Sequence, residues 1–267
     1  MANTYPLAGG GPAILDRSET PEIRKVAFTA PFHWLGAGWK DLWAAPLLSL
    51  AYGAVFAAFA YVAAIQLTRF DALPLLLPLA FGFLLMGPVL AAGLYEISRR
   101  KERGEPVTIG GILHAMWAKR DQLASMGVLL FVLYFFWMDV ALLLFMLFFG
   151  PANFPTPPGE FISNLVSTGH GRGLLAAGTV AGAIFAAVAY VISVIAVPMM
   201  FERKVDTITA MLTSMRAVRM NLPAMTLWAV LIAVLSLSGL AAVFAGLAIT
   251  FPLVGHATWH AYRELAA

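Results

Sequence analysis

Residues 87–120 read GPVLAAGLYEISRRKERGEPVTIGGILHAMWAKR, and their order decides the fold. A membrane-length apolar run ends past Pro88, meets the basic cluster Arg99, Arg100, Lys101 and Arg103, and passes through an amphipathic stretch into the next apolar run. Ile109, Ile112, Leu113, Met116 and Trp117 recur at helical spacing, with Thr108, Gly110, Gly111, Ala115 and Lys119 on the other side. The spacing predicts an in-plane helix over 108–120, with Trp117 on its buried edge. Lys119 and Arg120 at its end suit a headgroup boundary, where anionic lipid and apolar margin are both in reach. A helix packed on protein neighbours would show the same stripe.

Outward from that stretch, composition points the same way. Of 267 residues, 61% are hydrophobic and 12% charged, with a mean hydropathy of +0.82. Globular domains carry roughly 25% charge, so half that value with several long apolar runs means a polytopic, all-α membrane protein. There is no cysteine, which excludes disulfides, thiolate nucleophiles, iron–sulfur clusters and Cys-ligated zinc.

Residues 1–28 are polar and lack the apolar core of a secretory signal, so they are expected to form a cytoplasmic tail. Residues 29–267 read as a single membrane domain. Thr29 and Pro31 look like the start of a second in-plane helix carrying Phe32, Leu35, Trp39, Leu42 and Trp43. Spans follow at about 42–67 and 73–97, the second containing Pro74, Pro78 and Pro88, with Pro88 expected to kink it. Further spans are expected at about 123–149 and 174–200, separated by a Pro- and Gly-rich loop with little regular structure. A third amphipathic helix carries Ile208, Met211, Leu212, Met215 and Val218 on one face, with Thr209, Thr213, Arg216 and Arg219 off it. The last apolar run, 223–262, is twice what one span needs. Ser236-Leu237-Ser238-Gly239 offers a turn, which predicts spans at 223–238 and 239–262 and about six in total. One long helix followed by an interfacial tail is the five-span alternative.

The pattern repeats three times as hairpins, each preceded by an in-plane helix. Lys40-Asp41-Leu42-Trp43, Arg120-Asp121-Gln122-Leu123 and Arg219-Met220-Asn221-Leu222 precede the outgoing spans. Pro88, Pro198 and Pro252 precede Tyr95-Glu96, Phe201-Glu202 and Tyr262-Arg263-Glu264 on the returning ones. Putting both termini in the cytoplasm leaves only Arg69 and Arg172, of 17 basic residues, on the far side.

Few residues offer chemistry. Asp139 is the one acid well inside a span, a turn from Tyr134, and an intramembrane carboxylate is either a proton or cation site or the partner of a basic group. Its place at the seventeenth residue of the span also fits an interfacial, water-connected group. His256 and His260 share a helix face and could supply half a metal site, although no third ligand stands at matching spacing. Interfacial histidines among aromatics more often hydrogen-bond at a surface, so no metal or cofactor is expected. His33 and His114 could approach them only through the fold. No phosphate loop or His-Glu-x-x-His occurs, and the serines and histidines are expected on opposite sides of the bilayer or near chain ends, so no enzyme is expected. Lys40, Arg99, Arg100, Lys119, Arg120, Arg216 and Arg219 are candidate contacts for anionic lipid headgroups, a better reading of the basic clusters than nucleic acid.

The run Phe251-Pro252-Leu253-Val254-Gly255-His256-Ala257-Thr258-Trp259-His260-Ala261-Tyr262-Arg263-Glu264-Leu265, with Gly87-Pro88 and Arg99-Arg100-Lys101, resembles a family of uncharacterised proteobacterial inner-membrane proteins. The resemblance covers the chain from about Thr29. Some members are labelled cytochrome c oxidase subunit I. Oxidase catalytic subunits hold haems and copper with histidines inside about twelve helices; here every histidine lies near an end or in a loop. The resemblance therefore implies at most membership of a respiratory or photosynthetic complex.

Three functions compete. An accessory or assembly subunit beside a larger inner-membrane complex fits the missing catalytic set, the aromatic-rich spans, and small residues such as Gly178, Gly182 and Ala186 suited to close helix contact. A small transporter or channel would use Asp139, with Gln66, Tyr134, Thr179 or Ser193 lining its path. A lipid-organising envelope protein would use the in-plane helices and their cations.

Overall fold

The structure is a computed structural model that describes residues 21–150 and 158–266; every regular element among them is helical. In the first unit, α1 (Ala30–Ala44) leads into α2 (Pro46–Arg69), and the chain returns through α3 (Leu76–Leu90) and α4 (Ala92–Glu102). The second consists of α5 (Ile109–Ala118), α6 (Arg120–Phe149), α7 (Pro158–Ser167), and a return through α8 (Gly169–Ser193) and α9 (Ala196–Glu202). The third is α10 (Thr207–Met220), α11 (Leu222–Ala241) and the returning α12 (Leu247–Ala266).

Local chemistry places these boundaries. Prolines stand in the first turns of α1, α2 and α11, where no amide donor is missed. Thr108, Thr168 and Asp206 cap α5, α8 and α10 by accepting from Gly111, Gly171 and Thr209 amides. The first return helix breaks at Ala91, three residues beyond Pro88, which α3 carries in its last turn.

The units close into a ring. Each return packs on the next unit's leading helices: α3 and α4 on α6 and α5, α8 and α9 on α10, and α12 on α1 and α2. At the centre, α4, α9 and α12 meet. Close approach is achieved where a side chain is missing. A Cβ on Gly38 of α1 would lie 2.6 Å from the Ala257 amide nitrogen of α12, and one on Gly53 of α2 would lie 2.5 Å from the Ala248 carbonyl oxygen.

Five helical stretches among the described residues are long and apolar enough to cross a membrane: Pro46–Arg69, Leu73–Glu102, Arg120–Phe149, Gly169–Glu202 and Leu222–Ala241. α12 is a separate twenty-residue helix, but its second half is polar and packed inside the protein. The turn before it falls at 242–246, with Val243 and Phe244 in left-handed conformations (φ 54° and 64°), rather than at Ser236–Gly239, which continues α11. Residues 158–167, expected as loop, form α7, whose Phe161 packs at a tilt against Phe145 of α6, ring centroids 6.3 Å apart; residues 151–157 lie outside the description. Gly178 has nothing close to it, and Gly182 receives the Phe81 ring rather than another backbone.

Helix α10 buries its small and polar face. In α10, Thr209, Ala210, Thr213, Ser214, Ala217 and Val218 are buried, while Ile208, Leu212 and Met215 are exposed. On α5, Ile109, Leu113 and Trp117 are 63%, 60% and 69% exposed. Trp117 is thus outward, and only Ile112 of its stripe is buried. Phe32, Trp39 and Trp43 of α1 also face out. The bulky apolar stripes ring the outside at the basic end.

The segment before α1 is held by the chain itself. The Arg24 amide donates to the Leu265 carbonyl at 2.9 Å, the Val26 amide donates to Asn221 Oδ1 at 2.9 Å, and Asn221 Nδ2 donates to the Arg24 carbonyl at 3.0 Å. Residues 21–26 therefore need no foreign surface. The rest of the expected tail, residues 1–20, lies outside the description.

Candidate functional site

The meeting of the three return helices forms a dense polar layer. Arg263 of α12 reaches the last residues of both other returns, Glu102 at 2.8 Å and Glu202 at 3.2 Å. Tyr262 donates to Glu202 at 2.6 Å, and Trp259 donates to Glu102 at 3.2 Å. Glu96 is fully buried, yet Arg99 and Arg100 each reach it at 2.6 Å, which answers the cost of an unpaired buried charge. Arg99 and Arg100 are thus spent inside the protein rather than on headgroups. Lys119 likewise donates to the Met200 and Arg203 carbonyls. Burial, with Lys204 and Arg99 nearby, lowers its ammonium from the usual range.

A second cluster joins α1, α2, α4 and α12. Asp41 accepts from Lys101 at 2.8 Å and contacts His260 Nε2 at 2.8 Å. Burial pushes this carboxyl up, but hydrogen bonds from His260, Lys101 and Ser98 prevail and hold it well below the usual carboxylate range. One turn deeper, His256 is fully buried, its Nε2 3.0 Å from the Ser49 hydroxyl and its Nδ1 2.9 Å from that of Ser98. His256 is therefore not a surface residue, and serine and histidine are not kept apart. Ser49, Ser98 and His256 are all sealed from solvent, so the hydroxyls lock the ring rather than offer a nucleophile. The structure brings no third ligand to His256 and His260; among the described residues no group of three could hold a metal. His33 and His114 are exposed.

Asp139 stands elsewhere, on the outward face of α6. It is exposed among Val132, Phe135, Phe136, Leu142 and Leu143, all exposed apolar side chains. Ten apolar or aromatic residues separate it from the end of α6, about 15 Å of helix, and Leu123 lies about 24 Å the other way. No hydrogen bond or ion pair reaches it among the described residues. Tyr134 turns inward, its ring filling the space a Cβ on Gly82 would need. Gln66 is exposed and paired with Arg69, Ser193 is buried, and Thr179 is exposed. These residues do not converge on a path.

A groove of about 980 Å³ opens between α2, α3, α5 and α6. Tyr52, Phe56, Val89, Leu90, Leu123 and Phe131 line it, with His114 and Arg120 at its basic end. Arg120 lies over the Trp117 ring at 5.0 Å. Arg216 and Arg219 flank a smaller groove between α8, α10 and α11. Arg120, Arg216, Arg219 and Lys40 are exposed, so four of the seven candidate headgroup cations remain available.

Five membrane-length helices and a sealed polar layer accord with a family match in the sequence. Residues 75–202, from the second apolar stretch to the end of α9, match a family described as predicted integral membrane protein (DUF2189). The match takes in 128 of the 267 residues, just under half of the chain. It takes in the first return and the whole second unit, including Asp139 and most of the groove. Neither a curated protein nor a solved structure matches the chain.

The polar layer was partly visible in sequence. Tyr95-Glu96, Phe201-Glu202 and Tyr262-Arg263-Glu264 stand out as related ends of returning helices. The partners Asp41, Ser49 and Ser98 carried no signal, because they come from other units.

Proposed function

We propose that the protein is a non-catalytic accessory or assembly subunit that packs beside a larger complex in the bacterial inner membrane, with α6 as its docking helix. The observation that carries this reading is Asp139, an unpaired carboxylate facing outward amid aromatic and aliphatic side chains. Left in hydrocarbon, such a group costs several kcal/mol; a basic or hydrogen-bonding side chain on a partner's membrane helix would remove that cost. The surrounding phenylalanines supply apolar contact area without polar groups to satisfy. In this arrangement α12 is a sixth span, protected by α1, α2 and α11, and both termini lie on the basic, cytoplasmic side. The transport reading loses its motive, since a solute path would need Asp139 inside the bundle.

The test is purification of the tagged full chain in mild detergent, with wild type compared to Asp139→Leu and Asp139→Asn. Copurifying membrane subunits should be retained by wild type, weakened by Asn, which keeps hydrogen bonding, and lost with Leu. Equal recovery with Leu would refute docking through Asp139. Recovery of the chain alone in all three would refute the accessory role.

A further inference from the structure

We infer that the groove between α2, α3, α5 and α6 is a binding site for one anionic phospholipid of the leaflet on the basic side, its phosphate at Arg120 and an acyl chain along α6. Depth is the first argument. From Arg120 to Phe131 the groove follows eleven residues of α6, about 16 Å, which is half of a hydrocarbon core of about 30 Å. It ends where one leaflet ends. A transmembrane helix of a partner would need a groove running the full thickness.

Chemistry supplies the second argument. The walls are aliphatic and aromatic from Leu123 to Phe131, and the groove's one cation, Arg120, stands at one end beside His114. Arg120 is placed by its Trp117 contacts, over the ring and to the Trp117 carbonyl at 3.3 Å. Asp121 lies 3.6 Å from it but is 90% exposed at the side chain and competes weakly through water. An anionic headgroup meets a cation whose tail-side neighbours are apolar, while a zwitterionic one gains less.

The internal repeat supplies the third. Counting back from Lys119 and Asn221, which cap α6 and α11, His114 corresponds to Arg216 and Trp117 to Arg219. The same positions flank the smaller groove against Val191 of α8. A cation-edged apolar groove thus recurs at a related seam, as expected of a lipid-facing feature of the unit. The inference does not depend on the accessory role, because α6 presents Asp139 farther along the helix.

The experiment is native mass spectrometry of the full chain with equimolar dioleoyl phosphatidylglycerol and dioleoyl phosphatidylcholine. A Lys40→Gln/Arg216→Gln/Arg219→Gln background leaves Arg120 as the last of the four exposed headgroup candidates. Retained phosphatidylglycerol should exceed phosphatidylcholine, and adding Arg120→Gln should lower that ratio about fivefold, the factor equivalent to about 1 kcal/mol per basic residue at an anionic surface. Ala124→Phe, which fills the groove from an exposed position, should abolish both adducts. An unchanged ratio with Arg120→Gln, or adducts that survive Ala124→Phe, would overturn the inference. Photocrosslinking from p-benzoylphenylalanine at exposed Val128, in native membranes, is independent of both variants. Lipid capture supports the site, and capture of a protein helix overturns it.

Discussion

Two glycines in one helix should respond to the same substitution with opposite signs. Gly36 and Gly38 both lie in α1. Nothing stands within 4 Å of a Cβ added at Gly36, whereas at Gly38 it would meet the Ala257 nitrogen at 2.6 Å and the Ala257 Cα and Cβ at 2.9 Å. These are atoms in the middle of α12 and cannot swing aside. To restore ordinary carbon contacts of about 3.5–4.0 Å, α1 must lift by about 1 Å. That shift strains the 2.7 Å bond from the Trp34 indole to Glu264 and the 2.8 Å contact of Asp41 with His260. Both substitutions gain about 0.5–1 kcal/mol from helix propensity, but Gly38→Ala also incurs overpacking of about 1–3 kcal/mol. The gap between the variants is about 2 kcal/mol, or roughly 4–8 °C in a chain of this size. Tryptophan fluorescence during heating of the detergent-solubilised protein reads it directly, since Trp34 and Trp228 pack edge to face beside this seam. If Gly38→Ala melts with or above Gly36→Ala, α1 is not seated on α12 as described.

Asp41→Asn should cost about 2 kcal/mol at neutral pH by uncoupling Lys101 from a charged acceptor. Because the Asp41 carboxyl is depressed in the folded protein, its contribution is complete above the unfolded-state value near 4 and lost as pH falls below it. The stability difference between wild type and Asp41→Asn should therefore shrink in acid, and a difference constant from pH 7 to pH 3 would contradict the assignment. Asn221→Ala removes the bonds to Arg24 and Val26. Hydrogen exchange should then accelerate at the Val26 amide while α11 stays protected, and unchanged exchange would mean that other contacts hold the segment.

How much of this was legible beforehand depended on whether the signal was local. The apolar runs and the helical stretches before them each follow from residues adjacent in sequence, and helices formed close to where those residues put them. α7 was obscured by its surroundings, since Pro151, Pro155 and Pro157 before it and Gly169 after it outweigh the Phe161, Ile162, Leu165 and Val166 stripe. The turn at Val243 and Phe244 is built from residues that ordinarily avoid left-handed backbone, so Ser236–Gly239 drew the expectation instead. Periodicity found the amphipathic helices but not which face meets protein. In lipid, small residues pack inward and large apolar ones face out. The pairing of Asp41 with His260 and of Ser49 with His256 spans 219 and 207 residues and has no local trace.

The way α12 closes the ring also sets an order of assembly. α1 and α2 emerge first from the ribosome, and the surface around Gly38, Asp41 and Ser49 that α12 covers stays open until more than 200 further residues are made. During synthesis at about 5–20 residues per second, this leaves a window of roughly ten seconds or more in which Ser49 lacks His256 and Asp41 has Lys101 but not His260. Chains stopped before Leu247 would keep that surface uncovered. The packing of α1 and α2 is therefore completed only by α12.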